Sequence, residues 1–216
     1  MKILFFGDSI TDASRDRNSN NRPNSYGTGY VRYIAGRLLY ENPDDYEIVN
    51  RGVSGDRVVD LYARVKRDVW NLNPDVLSIF IGINDVWHEI DHDNGVDLQR
   101  YEKIYRMLIE DTLKVLPNVK MMIVEPCVLK GTATESNDAQ PDRWQRFTEV
   151  YKYAEVARKI AKDYNIPFVE LQKDLSALAE KHCAEKYLAD GVHPNVAGAS
   201  LIGENWIKVF KKEIIK

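Results

Sequence analysis

The stretch KILFFGDSITD (residues 2–12) opens with a short apolar run that stops abruptly at Gly7-Asp8-Ser9. Four further short apolar runs follow along the chain: YEIVNR (46–51), DVLSIFIG (75–82), VKMMIVEP (119–126) and IPFVEL (166–171). Nearly continuous hydrophobicity rich in Ile, Val and Phe is typical of strands that are covered on both faces. The run 2–7 is therefore predicted to be a buried strand, with the Ser9 hydroxyl just beyond its end.

Stretches with helical periodicity separate these runs. They cover residues 30–42, 58–72, 97–116, 146–164 and 194–214. Within the third stretch, for example, Ile104, Leu108 and Leu113 fall close to one face while charged residues take the other. Strands that alternate with helices predict right-handed crossovers and a parallel sheet with helices on both faces. The predicted fold class is therefore α/β.

Composition limits the classes of function. A chain of 216 residues that is 44% hydrophobic suits one domain over residues 1–216. The net charge of -3 and the scattered basic residues argue against a nucleic acid or an anionic membrane as partner. No apolar run is long enough to span a bilayer, and MKILFFGDS has no cleavage site, so a cytoplasmic location is expected. Cys127 and Cys183 lie far apart and only four histidines are present, so no metal site is expected.

Polar groups follow the first two strands, at the edge where open parallel sheets bind ligands. Ser9 on a tight turn would hold its hydroxyl outward, as a nucleophile must, although a serine there could equally cap the next segment. In NRGVSGD (50–56), two glycines let a backbone N–H approach a ligand closely. A turn before a helix that begins at Asp56 explains the same residues. The G-x-S-x-G elbow is absent, so the α/β-hydrolase fold is not supported.

Two later segments complete the predicted edge. Asn84 in IGINDVW (81–87) offers amide donors for a developing oxyanion, or alternatively caps a helix that begins at Asp85. In LADGVHPNVAG (188–198), the spacing lets the Asp190 carboxylate orient the His193 imidazole, and Asn195 can cap the last helix as well. Because all four segments meet at one predicted edge, a joint catalytic role is favoured over four separate structural ones.

In this order, GDSITD, RGVSGD, IGINDV and DGVHPN resemble the sequence blocks of the SGNH, or GDSL-type, hydrolase family, over nearly the whole chain. The resemblance implies a flavodoxin-like three-layer α/β/α sandwich with a five-stranded parallel sheet. It implies that Ser9 is the nucleophile, that His193 is its general base and then acid, and that Asp190 orients His193. It also implies an oxyanion hole made by the backbone N–H groups of Ser9 and Gly55 and the side-chain amide of Asn84.

The GTGYV and NDVW segments resemble the branch that includes acetyl-xylooligosaccharide esterases, although Ala189 stands where that branch tends to carry a bulky aromatic residue. The loops 12–27 and 129–142 are polar, which favours a small acyl group. The expected function is a cofactor-free serine esterase that removes acetyl groups from carbohydrates such as xylooligosaccharides, with a homo-oligomer implied by resemblance. The alternatives are a lysophospholipase or thioesterase of the same fold and a non-catalytic carbohydrate-binding module.

Asp8, Trp87 and Trp144 are expected to contact the substrate, since tryptophans at the mouth of the site could stack on a sugar ring. They could equally fill core or subunit contacts. A competing motif is HEIDH (88–92), which satisfies H-E-x-x-H and would make a zinc peptidase with Glu89 as general base. The polar residues around it and the absence of an evident third ligand favour an accidental match.

Overall fold

The computed structural model describes residues 1–19 and 22–215 and contains a five-stranded parallel sheet. The strands are β1 (Lys2–Gly7), β2 (Glu47–Gly52), β3 (Val76–Phe80), β4 (Lys120–Val124) and β5 (Phe168–Val169). Their order in the sheet is β2-β1-β3-β4-β5, and every neighbouring pair is parallel. The predicted number and direction of the strands are confirmed.

Helices connect the strands. They are α1 (Ser9–Asp12), α2 (Tyr30–Glu41), α3 (Val58–Asp68), α4 (Ile83–His92), α5 (Leu98–Val115), α6 (Arg143–Phe147), α7 (Val150–Asp163), α8 (Gln172–Lys181) and α9 (Val196–Glu213). Helices α2 and α9 pack together, while α5 packs against both α3 and α7. These two helix layers and the sheet between them make the three-layer α/β/α fold.

The elements differ from the sequence prediction in three places. The predicted helix 146–164 divides into α6 and α7 around Thr148 and Glu149. The predicted strand 166–171 keeps only two residues, because β5 is an edge strand that pairs with β4 alone and begins after Pro167, which has no N–H to donate. Helix α8 was not predicted, since only Leu175 among its residues is fully buried and its apolar face is correspondingly narrow.

The core lies around β1. Residues Ile3 to Phe6 are all 0% exposed, and each such side chain stabilises the fold by about 1.5–3 kcal/mol relative to exposure. The Phe5 ring packs at 5.8 Å from Tyr30 of α2 and at 5.1 Å from Trp206 of α9. The Trp206 indole donates to Ser78 Oγ of β3 at 3.0 Å, which satisfies its buried N–H. Strand β1 is thus held from both neighbouring helices.

Strand β1 also marks the point where the strand order reverses, because β2 lies on one side of it and β3 on the other. The loops after these strands diverge there and leave a crevice at the carboxyl edge of the sheet. Gly7 ends β1 at this point, and a Cβ on Gly7 would lie 2.4 Å from both Phe80 O and Thr11 Oγ1. The close approach of β1, β3 and the next turn therefore requires a glycine immediately before Asp8-Ser9.

Among the helices of residues 1–19 and 22–215, none combines the length and the apolar character that a membrane span needs.

Candidate active site

The turn after β1 presents the serine at the start of a short helix. Asp8, and not Ser9, is the N-cap of α1, with its Oδ1 accepting from Ile10 N at 2.9 Å. The alternative in which Ser9 is a capping residue is therefore wrong. Because Asp8 satisfies the helix donor, the Ser9 hydroxyl remains available at the crevice.

A chain of hydrogen bonds joins Ser9 to two residues from the other end of the sequence. Ser9 Oγ lies 3.0 Å from His193 Nε2, and His193 Nδ1 lies 2.7 Å from Asp190 Oδ2. These distances are within hydrogen-bond reach, so the imidazole can take a proton from the hydroxyl while the carboxylate holds the other ring nitrogen. The structure thus brings together the three residues expected to carry the chemistry.

Asp190 and His193 lie on a short loop that is closed at its base. Leu188 and Pro194 form an antiparallel bridge, and Ala189 N donates to His193 O at 2.8 Å. The alternative helix signal also holds, because Asn195 Oδ1 caps α9 by accepting from Ala197 N at 3.0 Å. The cap and the Asp190–His193 pair coexist, since they use different atoms of the loop.

The charge on Asp190 is stabilised by hydrogen-bond donors. Asp190 Oδ1 accepts from Val192 N at 2.9 Å and His193 N at 2.8 Å, in addition to the ring contact at Oδ2. Burial by itself would raise the pKa of Asp190, but these hydrogen bonds outweigh it and lower the pKa to about 2. The hydrogen bond to Asp190 in turn raises the pKa of His193, against the opposing effect of burial.

The polar loop 129–142 supports this pair. Leu129 N donates to Gly191 O at 2.9 Å, and Ala133 N donates to Asp190 O at 2.9 Å. A Cβ on Gly131 would lie 2.5 Å from the backbone of Asp190 and Gly191, so the two loops touch backbone to backbone. These contacts therefore give the loop a structural role, which its polar composition alone does not indicate. It buttresses the loop that carries Asp190 and His193.

Donors for a developing negative charge lie on the loops after β2 and β3. Gly55 adopts a φ of +86°, and Asn84 lies in the first turn of α4, whose N-cap is Gly82. Asn84 Nδ2 donates to Asp56 O at 3.0 Å, which occupies one of its two hydrogens and fixes the amide. Because Gly82 is the N-cap of α4, the alternative in which Asn84 caps a helix is wrong. The predicted helix start at Asp56 is also wrong, since α3 begins at Val58.

These groups border one cavity of about 270 Å³, whose walls include Ser9, Gly55, Asn84, Trp87 and His193. Within residues 1–19 and 22–215, the backbone N–H groups of Ser9 and Gly55 donate to no protein acceptor. Unpartnered N–H groups beside a free amide hydrogen form an arrangement that can bind an oxyanion.

A second and wider cavity, of about 600 Å³, shares Ser9, Ser54 and His193 with the first. The loop 12–27 forms part of its wall, through residues such as Ala13, Ser14 and Arg15. Ala13 and Ser14 have φ of +42° and +60°, conformations that cost energy for residues other than glycine. Ser9 therefore borders both a narrow cavity with oxyanion donors and a wide polar one.

The three residues expected to contact substrate lie in different surroundings. Trp87 borders the narrow cavity, with its ring centroid 5.8 Å from that of His193, and its indole donates to Asp91 Oδ2 at 2.7 Å. Trp144 packs partly buried against the core and borders neither cavity beside Ser9. Asp8 is 0% exposed and also borders neither cavity. The walls of the two cavities beside Ser9 thus give no support to substrate contact by Asp8 or Trp144.

Two buried carboxyl groups lie beneath the site. Asp8 Oδ2 has no hydrogen-bond partner, and burial raises the pKa of Asp8 to about 7. Asp85 accepts from Val58 N at 3.0 Å, and burial raises its pKa to about 8. Sequence reasoning missed Asp85, although an acidic residue inside the apolar segment IGINDVW was a signal that it would be buried. Asp85 ties the start of α3 to α4, and so helps to position Gly55 and Asn84.

The H-E-x-x-H segment forms the last turns of α4. The helix ends at His92, with Asp93 in the left-handed region as its C-cap. The rings of His88 and His92 lie 5.7 Å apart, and Glu89 Oε2 accepts from Gly95 N at 3.0 Å. In the part of the chain that the structure describes, no group of three or more His, Cys, Asp or Glu side chains is arranged to hold a metal ion. Cys127 is buried at the end of β4 and borders neither cavity beside Ser9.

Comparison with known proteins shows the family of the chain. The model of the GDSL-like Lipase/Acylhydrolase family matches residues 5–201. The acetylxylan esterase of Geobacillus stearothermophilus is 34% identical over 213 residues, which cover 96% of this chain and 92% of that enzyme. Fold and site thus define a hydrolase of the α/β/α class with a serine at the end of its first strand. The chain belongs to the GDSL-like lipase/acylhydrolase family. Its relatives in this family are esterases, and the protein is accordingly a carboxylic ester hydrolase.

Solved structures agree with this assignment. A crystal structure described as a GDSL-like lipase of Parabacteroides merdae superimposes with a TM-score of 0.87 at 36% identity, covering 97% of this chain and 95% of that one. The Geobacillus stearothermophilus acetylxylan esterase Axe2 superimposes with a TM-score of 0.82 at 33% identity, covering 96% and 93%. Three Axe2 variants, with a serine, an aspartate or a histidine replaced by alanine, are described as catalytic mutants.

Proposed function

We propose that the protein is a serine esterase that removes acetyl groups from carbohydrate hydroxyls, as in acetylated xylooligosaccharides, through Ser9, His193 and Asp190. The observation that carries the proposal is the continuous hydrogen-bond chain from Ser9 Oγ through the His193 ring to Asp190 Oδ2, beside three oxyanion donors. The same three residue types are the sites of the catalytic mutants of Axe2.

The protonation states support His193 as the base. Asp190, with a pKa of about 2, is ionised at neutral pH and accepts a hydrogen bond from His193 Nδ1–H. A neutral imidazole then has its lone pair at Nε2, the atom that faces Ser9 Oγ at 3.0 Å. The carboxylate therefore selects the tautomer that can accept the serine proton.

In the acylation step, Ser9 Oγ attacks the ester carbonyl carbon while its proton passes to His193 Nε2. The negative charge on the carbonyl oxygen is stabilised by the N–H groups of Ser9 and Gly55 and by the Asn84 amide. When the carbon–oxygen bond to the alcohol breaks, His193 returns the proton to the leaving alkoxide. An acetyl-enzyme and a free sugar hydroxyl result.

In the deacylation step, His193 takes a proton from a water molecule as the water oxygen attacks the acyl carbon. The same three donors stabilise the second oxyanion. Collapse of this intermediate expels Ser9 Oγ, which regains its proton from His193, and acetate leaves. Asp190 remains ionised throughout and stabilises the imidazolium that forms in each half of the reaction.

The two cavities support a small acyl group and a large alcohol. The narrow cavity contains the oxyanion donors and is closed on one side by the Trp87 ring, so we assign the acyl group to it. Ser9 and His193 border both cavities, but Gly55 and Asn84 border only the narrow one, so we assign the alcohol to the wide cavity, which has about 600 Å³ of space. Its polar walls suit a sugar better than a lipid.

The test compares matched aryl acetate and aryl octanoate with the wild type and Ser9→Ala, followed by acetate release from acetylated xylooligosaccharides. We expect the acetate to be preferred, Ser9→Ala to lose activity, and the sugars to lose acetyl. A preference for octanoate would favour the lysophospholipase or thioesterase alternative. If the wild type binds the sugars but neither hydrolyses the esters nor reacts with a serine-directed phosphonate, the carbohydrate-binding module replaces the esterase.

A further inference from the structure

The wide cavity contains an arginine whose charge the protein does not neutralise. Arg15 lines this cavity together with Ser9, Ser14, Ser54 and His193. Its Nε donates to Gly52 O at 2.9 Å, which fixes the side chain against the end of β2. Within residues 1–19 and 22–215, the two terminal nitrogens of Arg15 donate to no protein acceptor and pair with no carboxylate. The terminal nitrogens of a held guanidinium are therefore free, and Arg15 borders this cavity as well as a smaller one of about 240 Å³ beside β2.

The carboxylate nearest in sequence is already occupied. Asp12 Oδ2 pairs with Arg17 Nη2 at 2.7 Å and accepts from Ser54 N at 3.2 Å, while Asp12 Oδ1 accepts from the backbone N of Arg15 at 3.2 Å. The cavity wall thus contains two guanidinium groups and one carboxylate. The remaining positive charge belongs to Arg15.

This charge is costly for the protein. Burial lowers the pKa of Arg15, and the nearby Asp12 only partly opposes that effect. A half-buried cation whose terminal N–H donors lack acceptors is stabilised when an anionic ligand supplies the acceptor atoms. The planar fork of a guanidinium matches a carboxylate, which it can bind with two parallel hydrogen bonds.

We infer that the wide cavity binds an ester whose alcohol part carries a carboxylate, and that Arg15 is the residue that recognises it. A uronic-acid residue on the oligosaccharide or an aromatic acid would supply this group. The inference rests on the proposed esterase function, because it uses the assignment of the alcohol part to the wide cavity. It adds a selectivity for charge that the acyl group cannot provide.

The test uses 4-acetoxybenzoate and its neutral isostere 4-acetoxybenzamide. For the wild type, we expect kcat/KM to be about tenfold higher for the benzoate, since a charge-assisted hydrogen bond contributes about that factor. In Arg15→Gln, the ratio should fall to about one, and Arg15→Lys should keep part of it. Arg100→Gln is the matched control, because Arg100 on α5 is exposed, carries the same charge and borders neither cavity beside Ser9. Raising the ionic strength should also lower the ratio.

A binding measurement separates this inference from the esterase itself. Calorimetry with the Ser9→Ala protein compares xylotriose with xylotriose that carries one glucuronic acid, and needs no turnover. We expect the acidic sugar to bind about tenfold more tightly and Arg15→Gln to remove the difference. Benzoate preference without this difference would assign the cavity to aromatic acids. Equal kcat/KM for both aryl esters together with equal binding of both sugars would overturn the inference while leaving the esterase intact. Binding selectivity in a protein that hydrolyses no ester would overturn the esterase instead.

Discussion

Asp190 contacts His193 and Asp8 precedes Ser9, and the surroundings of these two carboxyl groups give them opposite properties. Asp190 accepts three hydrogen bonds, from two backbone N–H groups and the His193 ring, and its pKa falls to about 2. Asp8 is fully buried, accepts at one oxygen and has no partner at the other, and its pKa rises to about 7. Asp8 is fully buried whereas the Asp190 side chain is partly exposed, so deeper burial at Asp8 and more donors at Asp190 together decide which of them is charged.

The difference shows how one site can keep a permanent anion next to a carboxyl group that titrates near neutrality. The donors around Asp190 come from its own loop, which the loop 129–142 holds in place. Asp8 is instead the cap of α1, where one oxygen suffices. A mutation that removes a donor or an acceptor should therefore have very different effects in the two regions.

The largest effect is expected for Asp190→Asn, which replaces the carboxylate that accepts three hydrogen bonds. The amide cannot hold the His193 tautomer that accepts the Ser9 proton, so kcat/KM should fall by about 10⁴-fold. The pKa of His193 should also fall, because the hydrogen bond to Asp190 raises it, and the acid limb of the pH–rate profile should move to lower pH. Steady-state kinetics with an aryl acetate measures both. Asp138→Asn, an exposed aspartate of the loop 129–142, is the control, and equal activity of the two variants would contradict the assignment.

A smaller loss is expected for Asn84→Ala, which removes a hydrogen-bond donor to the proposed oxyanion. Asp190→Asn, in contrast, removes the carboxylate that contacts His193. One oxyanion donor contributes about 10²- to 10³-fold in turnover, so kcat should fall by that amount with little change in KM. Asn205→Ala is a matched control, because Asn205 Nδ2 also donates to a backbone carbonyl, Glu170 O at 3.2 Å. A change in KM alone would show that Asn84 binds ground-state substrate and leaves the oxyanion to other donors.

The support that the loop 129–142 gives to the loop of Asp190 and His193 can be tested with Gly131→Ala. The added Cβ would lie 2.5 Å from the backbone of Asp190 and Gly191, so one of the two loops must move. A displaced Asp190–His193 loop should lower kcat/KM by roughly 10- to 100-fold, since small misplacements of catalytic groups are costly. In Gly36→Ala, nothing lies within 4 Å of the added Cβ, and activity should be retained. Full activity in both variants would show that the loop 129–142 gives Asp190 no support.

The smallest kinetic effect is expected for Asp8→Asn, at the carboxyl group with fewer donors. The amide oxygen can still cap Ile10 N, so kcat/KM at neutral pH should change only a few-fold. Because the charge of Asp8 raises the pKa of His193, the acid limb of the profile should move slightly to lower pH. Loss of more than 10²-fold would show that Asp8 acts directly on the reacting groups.

Unfolding experiments with the same variant sharpen the comparison. The folded pKa of Asp8, about 7, lies above the ordinary aspartate pKa of 3.8, so folding binds a proton between these values and wild-type stability falls as pH rises through that window. Asparagine does not titrate. The unfolding free energy of Asp8→Asn relative to the wild type should therefore increase from pH 5 to pH 8, by on the order of 1 kcal/mol or more. Urea denaturation at the two pH values measures this, and an unchanged difference would contradict a buried, titrating Asp8.

The fold was predictable where the pattern was local and strong. The run 2–7 is buried on both faces and is matched by β1 (Lys2–Gly7). Helix α8 and the short strand β5 were not predictable in the same way, because their extent depends on tertiary contacts at the edge of the sheet. The four sequence blocks, with the Asp190–His193 spacing in the last, were visible in the sequence. The distances from Ser9 to His193 and from His193 to Asp190 came from the structure.

Other parts of the site depended on contacts between segments distant in sequence. The free terminal nitrogens of Arg15 follow from the fact that Asp12 is occupied by Arg17 and Ser54. The buttress formed by the loop 129–142 requires knowledge of which backbone groups meet. Composition described that loop only as polar, which is compatible with a support, a binding loop or an insertion alike.

The separation of Ser9 and His193 by 184 residues has a consequence for biosynthesis. At translation rates of about 5–20 residues per second, the serine leaves the ribosome about 10–40 s before the histidine that we propose as its base. During that interval the growing chain carries a hydroxyl that nothing can deprotonate. The activity is therefore absent from every nascent chain that has not yet reached residue 193, and reaction with a serine-directed reagent would mark the moment at which the polypeptide closes on itself.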